Sequence, residues 1–209
     1  MRYDAILLDL GGIIVDIDYE KPLSAFNSLG IKGVDQLFLK GGPDSLFYRY
    51  ERGEVSSAEF FETLREYAQY SISLDEVQQG WDSILVNLPE ERLDFLAEIG
   101  KQYPLFLLSN INDSHQAAFR RMVHATRPGF DFDALFQKAY YSHELGMRKP
   151  EERAFKHILS THSIVPERLL YIDDSDEHIT AASALGIQAK KLTPGKQELL
   201  SFLGQMLPE

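Results

Sequence analysis

The sequence predicts an α/β fold: a parallel sheet flanked by helices, with a small helical cap inserted after the first strand. Three observations carry this reading. Short, uninterrupted apolar runs alternate with helical patterns over most of the chain. One long stretch, residues 16–86, has helical signatures and no strong strand. Polar and charged residues end the apolar runs, at positions that a parallel sheet gathers along one edge.

The first strand is read from "AILLDL" (5–10), a run suited to burial on both faces. Within the following stretch, Ser56 with Glu59 and Ser73 with Glu76 have the spacing of capping boxes. Phe60, Phe61, Leu64 and Ala68 follow the first box, and Val77, Trp81, Ile84 and Leu85 the second, all at helical spacing. Residues 16–86 are therefore expected to form the cap domain, and residues 1–15 with 87–209 the core domain. "PEERLDFLAEIGKQ" has Pro89 near a helix start and Leu93, Leu96 and Ile99 on one face. "PLFLLSN" (104–110), "KAYYSHEL" (138–145) and "RLLYIDD" (168–174) read as further strands, with "QAKKL" (188–192) a weaker fifth. Phe119 with Met122, and Phe155 with Ile158 and Leu159, mark the helices between them. "EHITAASALG" ends in Gly186, a helix C-cap. Strands and helices in this order require right-handed crossovers and give a Rossmann-like sheet.

Composition narrows the function. The 209 residues include 32 acidic and 21 basic side chains, a formal charge of −11, which disfavours a nucleic-acid partner. The absence of cysteine excludes disulfides, thiolate zinc sites and thiol nucleophiles. No apolar run approaches the 18 or so residues of a membrane span. Asp4 and Asp9 interrupt the N-terminal run, so no secretion signal is read, and a cytoplasmic protein without a membrane partner is expected. The six histidines show no zinc spacing and are read as packing or solvated residues.

The strand ends carry the chemistry. Asp9 follows the first strand, Ser109 and Asn110 end the second, and Asp173 and Asp174 end the fourth. Lys149 follows the third, in "GMRKPEER". Taken singly, each has a commonplace role as a turn residue, a helix cap or a solvated loop charge. Their recurrence at every strand end points to one site. Asp9 and Asp174 are hard oxygen ligands suited to Mg2+. That ion and Lys149 would neutralise a phosphoryl group, Ser109 and Asn110 would hydrogen-bond its oxygens, and Asp9 would attack phosphorus. Lys149 would also keep the crowded carboxylates ionised. In "FYRYERGE", Tyr48, Arg49, Tyr50 and Arg52 are expected to face the substrate or to join the cap to the core.

"LLDLGGIIVD", "LFLLSN", "LGMRKPEERAF" and "YIDDSDEHI", in that order, resemble the four motifs of the haloacid dehalogenase superfamily of phosphohydrolases. "YERGEVSSAEFF" and "SHELGMRKPEERAF" further resemble a bacterial subgroup that includes an α-D-glucose-1-phosphate phosphatase. The resemblance implies a Mg2+-dependent hydrolase of a small phosphomonoester, such as a sugar phosphate, as its phosphorylated metabolite. It implies Asp9 as nucleophile and Asp9, Asp174 and the Gly11 carbonyl as metal ligands. Phosphate contacts would come from Ser109, Asn110, Lys149 and the Gly11–Gly12 turn, with Asp173 supporting Lys149. Gly11 departs from the pattern: most such phosphatases have a second aspartate there, which protonates the leaving alcohol. Asp16 and Asp18 are the substitute acids that the sequence offers, although a hinge turn and a helix cap are the commoner roles for such residues. Gly11 also supports a rival reading, a phosphoacceptor or scaffold that does not turn over. A metal-independent dehalogenase is the other rival, and the Asp173–Asp174 pair counts against it.

Overall fold

A computed structural model of the chain describes residues 3–33, 42–195 and 198–207. Five parallel strands form the main sheet, in the order β5-β4-β1-β6-β7. They are β1 (Ala5–Leu8), β4 (Leu105–Ser109), β5 (Lys138–Tyr141), β6 (Leu169–Asp173) and β7 (Gln188–Lys191). β1 lies at the centre, with β4 and β5 on one side and β6 and β7 on the other. The chain changes side between β5 and β6, and such a switch leaves a crevice at the carboxyl ends of the central strands. Those ends belong to Asp9, Ser109 and Asp173. β5 stops at Tyr141, and the rest of "KAYYSHEL" turns helical, over Ser142–Leu145.

Alternate residues of each strand supply opposite faces. Ile6, Leu8, Leu105, Leu107 and Ile172 pack on one side, against Leu93, Leu96 and Phe119 of the covering helices. Leu7, Phe106, Leu108 and Tyr171 pack on the other, against Phe155, Ile158 and Ala182. Both faces are covered, which explains why the strands read as continuous apolar runs.

Between β1 and residue 84, the described residues form four α-helices, α1 (Glu20–Ser28), α2 (Leu46–Glu51), α3 (Ser57–Arg65) and α4 (Leu74–Asp82). Ser56 caps α3 through the Glu59 N–H, and Ser73 with Glu76 forms a full capping box on α4. The helices close on a hydrophobic cluster of their own, in which Tyr50 stacks on Phe60 at 4.1 Å and Trp81 meets Phe60 edge-on at 4.8 Å. Two short strands missed in the sequence lead into and out of this unit. They are β2 (Asp16–Ile17) and β3 (Leu85–Asn87), and they pair antiparallel. Strands of two and three residues are too short to show a period.

The helical unit meets the sheet domain along two seams. On one, the Ser114 hydroxyl donates to Asp82 Oδ1 at 2.8 Å, and the Ser57 hydroxyl to Asp113 Oδ1 at 2.6 Å. On the other, Arg148 Nε donates to Glu51 Oε2 at 2.7 Å, and Arg52 lies 3.7 Å from Glu151.

Candidate active site

A fully buried lysine organises the crevice. Lys149 is 0% exposed, and its ammonium lies 2.6 Å from Asp9 Oδ1 and 2.8 Å from Asp173 Oδ2. Burial alone would lower its pKa, but Asp173 and Asp9 overcome that and raise it. Burial would likewise raise Asp173, yet Lys149 and His178 hold its carboxyl well below the usual range. Asp173 also accepts from the Tyr171 hydroxyl and from the Ser175 N–H at 2.8 Å. Its oxygens are thus saturated, and it anchors Lys149. Asp9 is the less compensated partner. Burial raises its carboxyl to about 8; Lys149 opposes the rise, and Asp173 and Asp174 add to it.

Asp174 lines the same cavity as Asp9 and makes no salt bridge among the described residues. Burial raises its carboxyl, and the Asp173 charge adds to the rise. Three carboxylates therefore share one ammonium. That excess of negative charge, on hard oxygen donors facing a cavity, fits a divalent cation. Asp9, Asp173 and His178 also bring ligand atoms within 4.8 Å of one another, but Lys149 already serves Asp173. The Asp9–Asp174 side fits the ion better. Gly12 makes that approach feasible. Its φ is +75°, and a Cβ there would lie 2.3 Å from Asp174 Oδ2.

Asp9, Ser109, Asn110 and Asp174 line the floor of a cavity of about 540 Å³, roofed by the helical unit. Several sequence expectations need correction at this level. The Asn110 side chain has a further task beside the phosphate contact expected of it. Its Nδ2 donates to the Lys149 carbonyl and its Oδ1 accepts from the Lys149 N–H, both at 2.8 Å, so it sets the lysine's position. The Gly12 N–H is committed to the Val15 carbonyl at 2.8 Å, so this glycine shapes the turn instead of contacting phosphate. Asp16 is held by Arg92 at 2.8 Å, and Asp18 caps the start of α1 through the Glu20 N–H at 2.9 Å. Neither lines the cavity, so the substitute acids named from the sequence are a hinge residue and a helix cap. Tyr50 is 1% exposed inside the helical cluster and bonds Ser57. Arg52 pairs with Glu54 and Glu151, a contact role rather than a substrate role.

Of the four residues singled out in "FYRYERGE", Tyr48 lines the cavity wall, joined there by Glu51 and Arg148. The Arg148 guanidinium lies 3.7 Å over the Tyr48 ring. His115 and His178, read as bland in the sequence, also line the cavity. His178 Nδ1 lies 3.0 Å from Asp173 Oδ1, and His115 stacks on Trp81 at 4.7 Å. No metal-ligand spacing announced either; the only signal was His178 falling one helical turn beyond Asp174.

Comparison with known proteins gives the same family as these motifs. The model of the haloacid dehalogenase-like hydrolases matches residues 54–190. D-ribitol-5-phosphate phosphatase of Bacteroides thetaiotaomicron is 28% identical over 201 residues, covering 95% of this chain and 97% of its own. A HAD family enzyme from Bacteroides thetaiotaomicron, crystallised with magnesium, is 31% identical with a TM-score of 0.87, covering 98% of this chain and 100% of its own. The same enzyme with magnesium and inorganic phosphate gives 0.84, at 31% identity, over 93% of this chain and 96% of its own. Asp9 falls outside the residues matched by the family model but inside nearly full-length similarity to a solved member. The chain belongs to the haloacid dehalogenase-like hydrolases.

Proposed function

We propose that the protein is a Mg2+-dependent phosphomonoesterase that works through an aspartyl phosphate on Asp9, with residues 16–86 as a cap over the site. One observation carries this reading: a fully buried Lys149 shared by Asp9 and Asp173, at the floor of a cavity that Asp174 and Ser109 also line. A buried lysine held against two carboxylates is costly unless its charge has a task. The relative that acts on D-ribitol 5-phosphate supports a small phosphorylated metabolite as the substrate.

Asp9 attacks phosphorus with the oxygen not held by Lys149; the P–O ester bond breaks, and the alcohol oxygen leaves with the bonding pair. Water then cleaves the acyl phosphate and releases inorganic phosphate. Lys149 holds positive charge beside Asp9 throughout, and the Ser109 hydroxyl donates to a phosphoryl oxygen. Asp9, Asp174 and the Gly11 carbonyl would hold Mg2+, which supplies charge neutralisation for the phosphoryl oxygens.

Phosphate release with and without chelator tests this. Steady release with Mg2+, silence in chelator, and loss of turnover in Asp9→Asn with an unchanged fold are expected. Full activity in excess chelator would overturn the metal role. Release that stops at one equivalent would favour the phosphoacceptor reading, which Gly11 supports.

A further inference from the structure

We propose that Glu51 and Arg148 together bind hydroxyl groups on the alcohol part of the substrate, and so select phosphate esters of an uncharged polyhydroxy alcohol, a polyol or a sugar. This rests on the phosphomonoesterase reading and narrows it. Two observations carry it: the pair is only half used within the protein, and it has no net charge.

The pair is joined by one arm. Arg148 and Glu51 are 8% and 6% exposed, and both line the cavity. Arg148 Nε donates to Glu51 Oε2 at 2.7 Å, and neither side chain makes another hydrogen bond among the described residues. Arg52 shows the contrast. It grips Glu54 with two arms, Nε to Oε1 at 2.6 Å and Nη2 to Oε2 at 3.1 Å. Among the described residues, the one buried side-chain nitrogen or oxygen without a partner is Arg92 Nε. Arg148 Nη1 and Nη2 and Glu51 Oε1 therefore stay accessible: two donor groups and an acceptor, on residues that line the cavity. The guanidinium carbon of Arg148 lies 3.7 Å above the centre of the Tyr48 ring, which fixes the plane of the donors. Tyr48 and Glu51 are three residues apart on α2, so one side of the helix supplies both the platform and the acceptor. Arg148 directly precedes Lys149, whose ammonium is bound to Asp9. An ester held at Asp9 thus has its alcohol in the cavity that the pair lines.

Charge decides what the pair binds. Arg148 is the only guanidinium or ammonium among the described residues that line the cavity, beside the carboxylates of Asp9, Glu51 and Asp174. Glu51 neutralises it, so no cation is left over for a carboxylate or a second phosphate on the alcohol. An ammonium group would meet the same obstacle from Arg148. A hydroxyl suits both halves, since it can donate to Glu51 Oε1 and accept from Arg148. A chain of several hydroxyls can engage both at once. An alcohol with no further hydroxyl would cover these polar atoms and leave them unpaired.

The full-length protein with Mg2+ tests the inference on four esters. D-Ribitol 5-phosphate is the uncharged polyol, and 5-phospho-D-ribonate carries a carboxylate in place of its far hydroxymethyl group. n-Pentyl phosphate keeps the five carbons without hydroxyls. Phenyl phosphate, whose alcohol departs readily, reports the chemistry alone. D-Ribitol 5-phosphate is expected to exceed both the ribonate and the pentyl ester in kcat/KM by at least about tenfold, the smaller effect of one hydrogen bond to a charged group. Removing one partner would strand the other's charge, so both are replaced, Glu51→Gln with Arg148→Met. The ratio of kcat/KM for D-ribitol 5-phosphate to that for pentyl phosphate should then fall by at least about tenfold, chiefly through KM. A pair that only joins the two domains would lower both esters alike, and an unchanged ratio would overturn the proposal. If the double variant does not fold, the wild type decides. Pentyl phosphate turned over as well as the polyol ester would overturn the hydroxyl assignment, and faster turnover of the ribonate would overturn the selection by charge. Either result leaves phosphatase chemistry intact, as release from phenyl phosphate would show. No release from any ester, with chelator making no difference, would overturn both readings together.

Discussion

His115 makes the seam between cap and core sensitive to acid. Its ring is stacked on Trp81 at 4.7 Å with the planes 10° apart, Nε2 lies 3.1 Å from the Trp81 carbonyl, and Nδ1 lies 3.2 Å from Asn112 Nδ2. The bonding pattern assigns a neutral ring that donates through Nε2 and accepts through Nδ1. Burial lowers its pKa from 6.5 to about 4, against the opposing pull of the Trp81 carbonyl and Asp113. The unfolded chain therefore takes up a proton that the folded chain refuses, and stability falls as pH drops from about 6.5 to about 4. From those two values the loss amounts to about 2 kcal/mol at pH 5 and about 3 kcal/mol at pH 4. In a chain of this size the first corresponds to a fall in Tm of about 4–8 °C. Other groups titrate in the same range, so the informative quantity is the difference between wild type and His115→Gln. Urea unfolding can be followed by the fluorescence of Trp81, the chain's single tryptophan, which lies in the seam itself. The variant should lose stability at pH 7 and recover relative to wild type as the pH falls. Curves that run parallel from pH 7 to pH 4 would refute the reasoning.

Lys149→Met keeps most of the buried stem but strands two carboxylates, and should cost about 3–5 kcal/mol in urea unfolding at pH 7; a loss under about 1 kcal/mol would show that Asp9 and Asp173 relax apart. Gly12→Ala should displace Asp174, weakening Mg2+ in calorimetry by more than about tenfold, in keeping with the effect of misplacing a ligand; unchanged Mg2+ binding would show that Asp174 is not held by this contact. Gly11→Asp meets only the flexible end of Ile17, at an ordinary negative φ. It should speed the alkyl phosphate by up to about 10²–10⁴ and the aryl phosphate little; an equal effect on both would mean that the new carboxyl does not reach the leaving oxygen.

The groups legible in the sequence were those at the ends of long buried strands. An apolar run of five or six residues fixes a strand, and the polar residue that ends it must lie at the sheet edge. Asp9, Ser109 and Asp173 were readable for that reason. The cap face was not. In the six-residue helix α2, Phe47, Tyr48 and Glu51 form one face, at i, i+1 and i+4, whereas Tyr50 points about 100° away from its centre. Aromatic residues run round the helix, so no hydrophobic stripe sets the phase, and the sequence does not separate Tyr48 from Tyr50. The backbone role of Asn110 is hidden for a different reason. A carboxamide serves a phosphate or a backbone equally well, and its partner, the Lys149 main chain, lies 39 positions away. Asp16 and Asp18 take the hinge and cap roles that are commonest for such residues near a chain turn.

Adjacent residues in one loop face opposite ways: Arg148 reaches up to Glu51 on the helical unit, and Lys149 reaches down between Asp9 and Asp173. Asn110 clamps the main chain of the second residue, so the first can swing without dragging its neighbour. Lifting the roof thus parts the Glu51–Arg148 and Arg52–Glu151 pairs and returns them to water, while Lys149 stays between Asp9 and Asp173. A molecule can enter or depart through the parted seam on every cycle while Asp9 and Asp173 keep their ammonium partner.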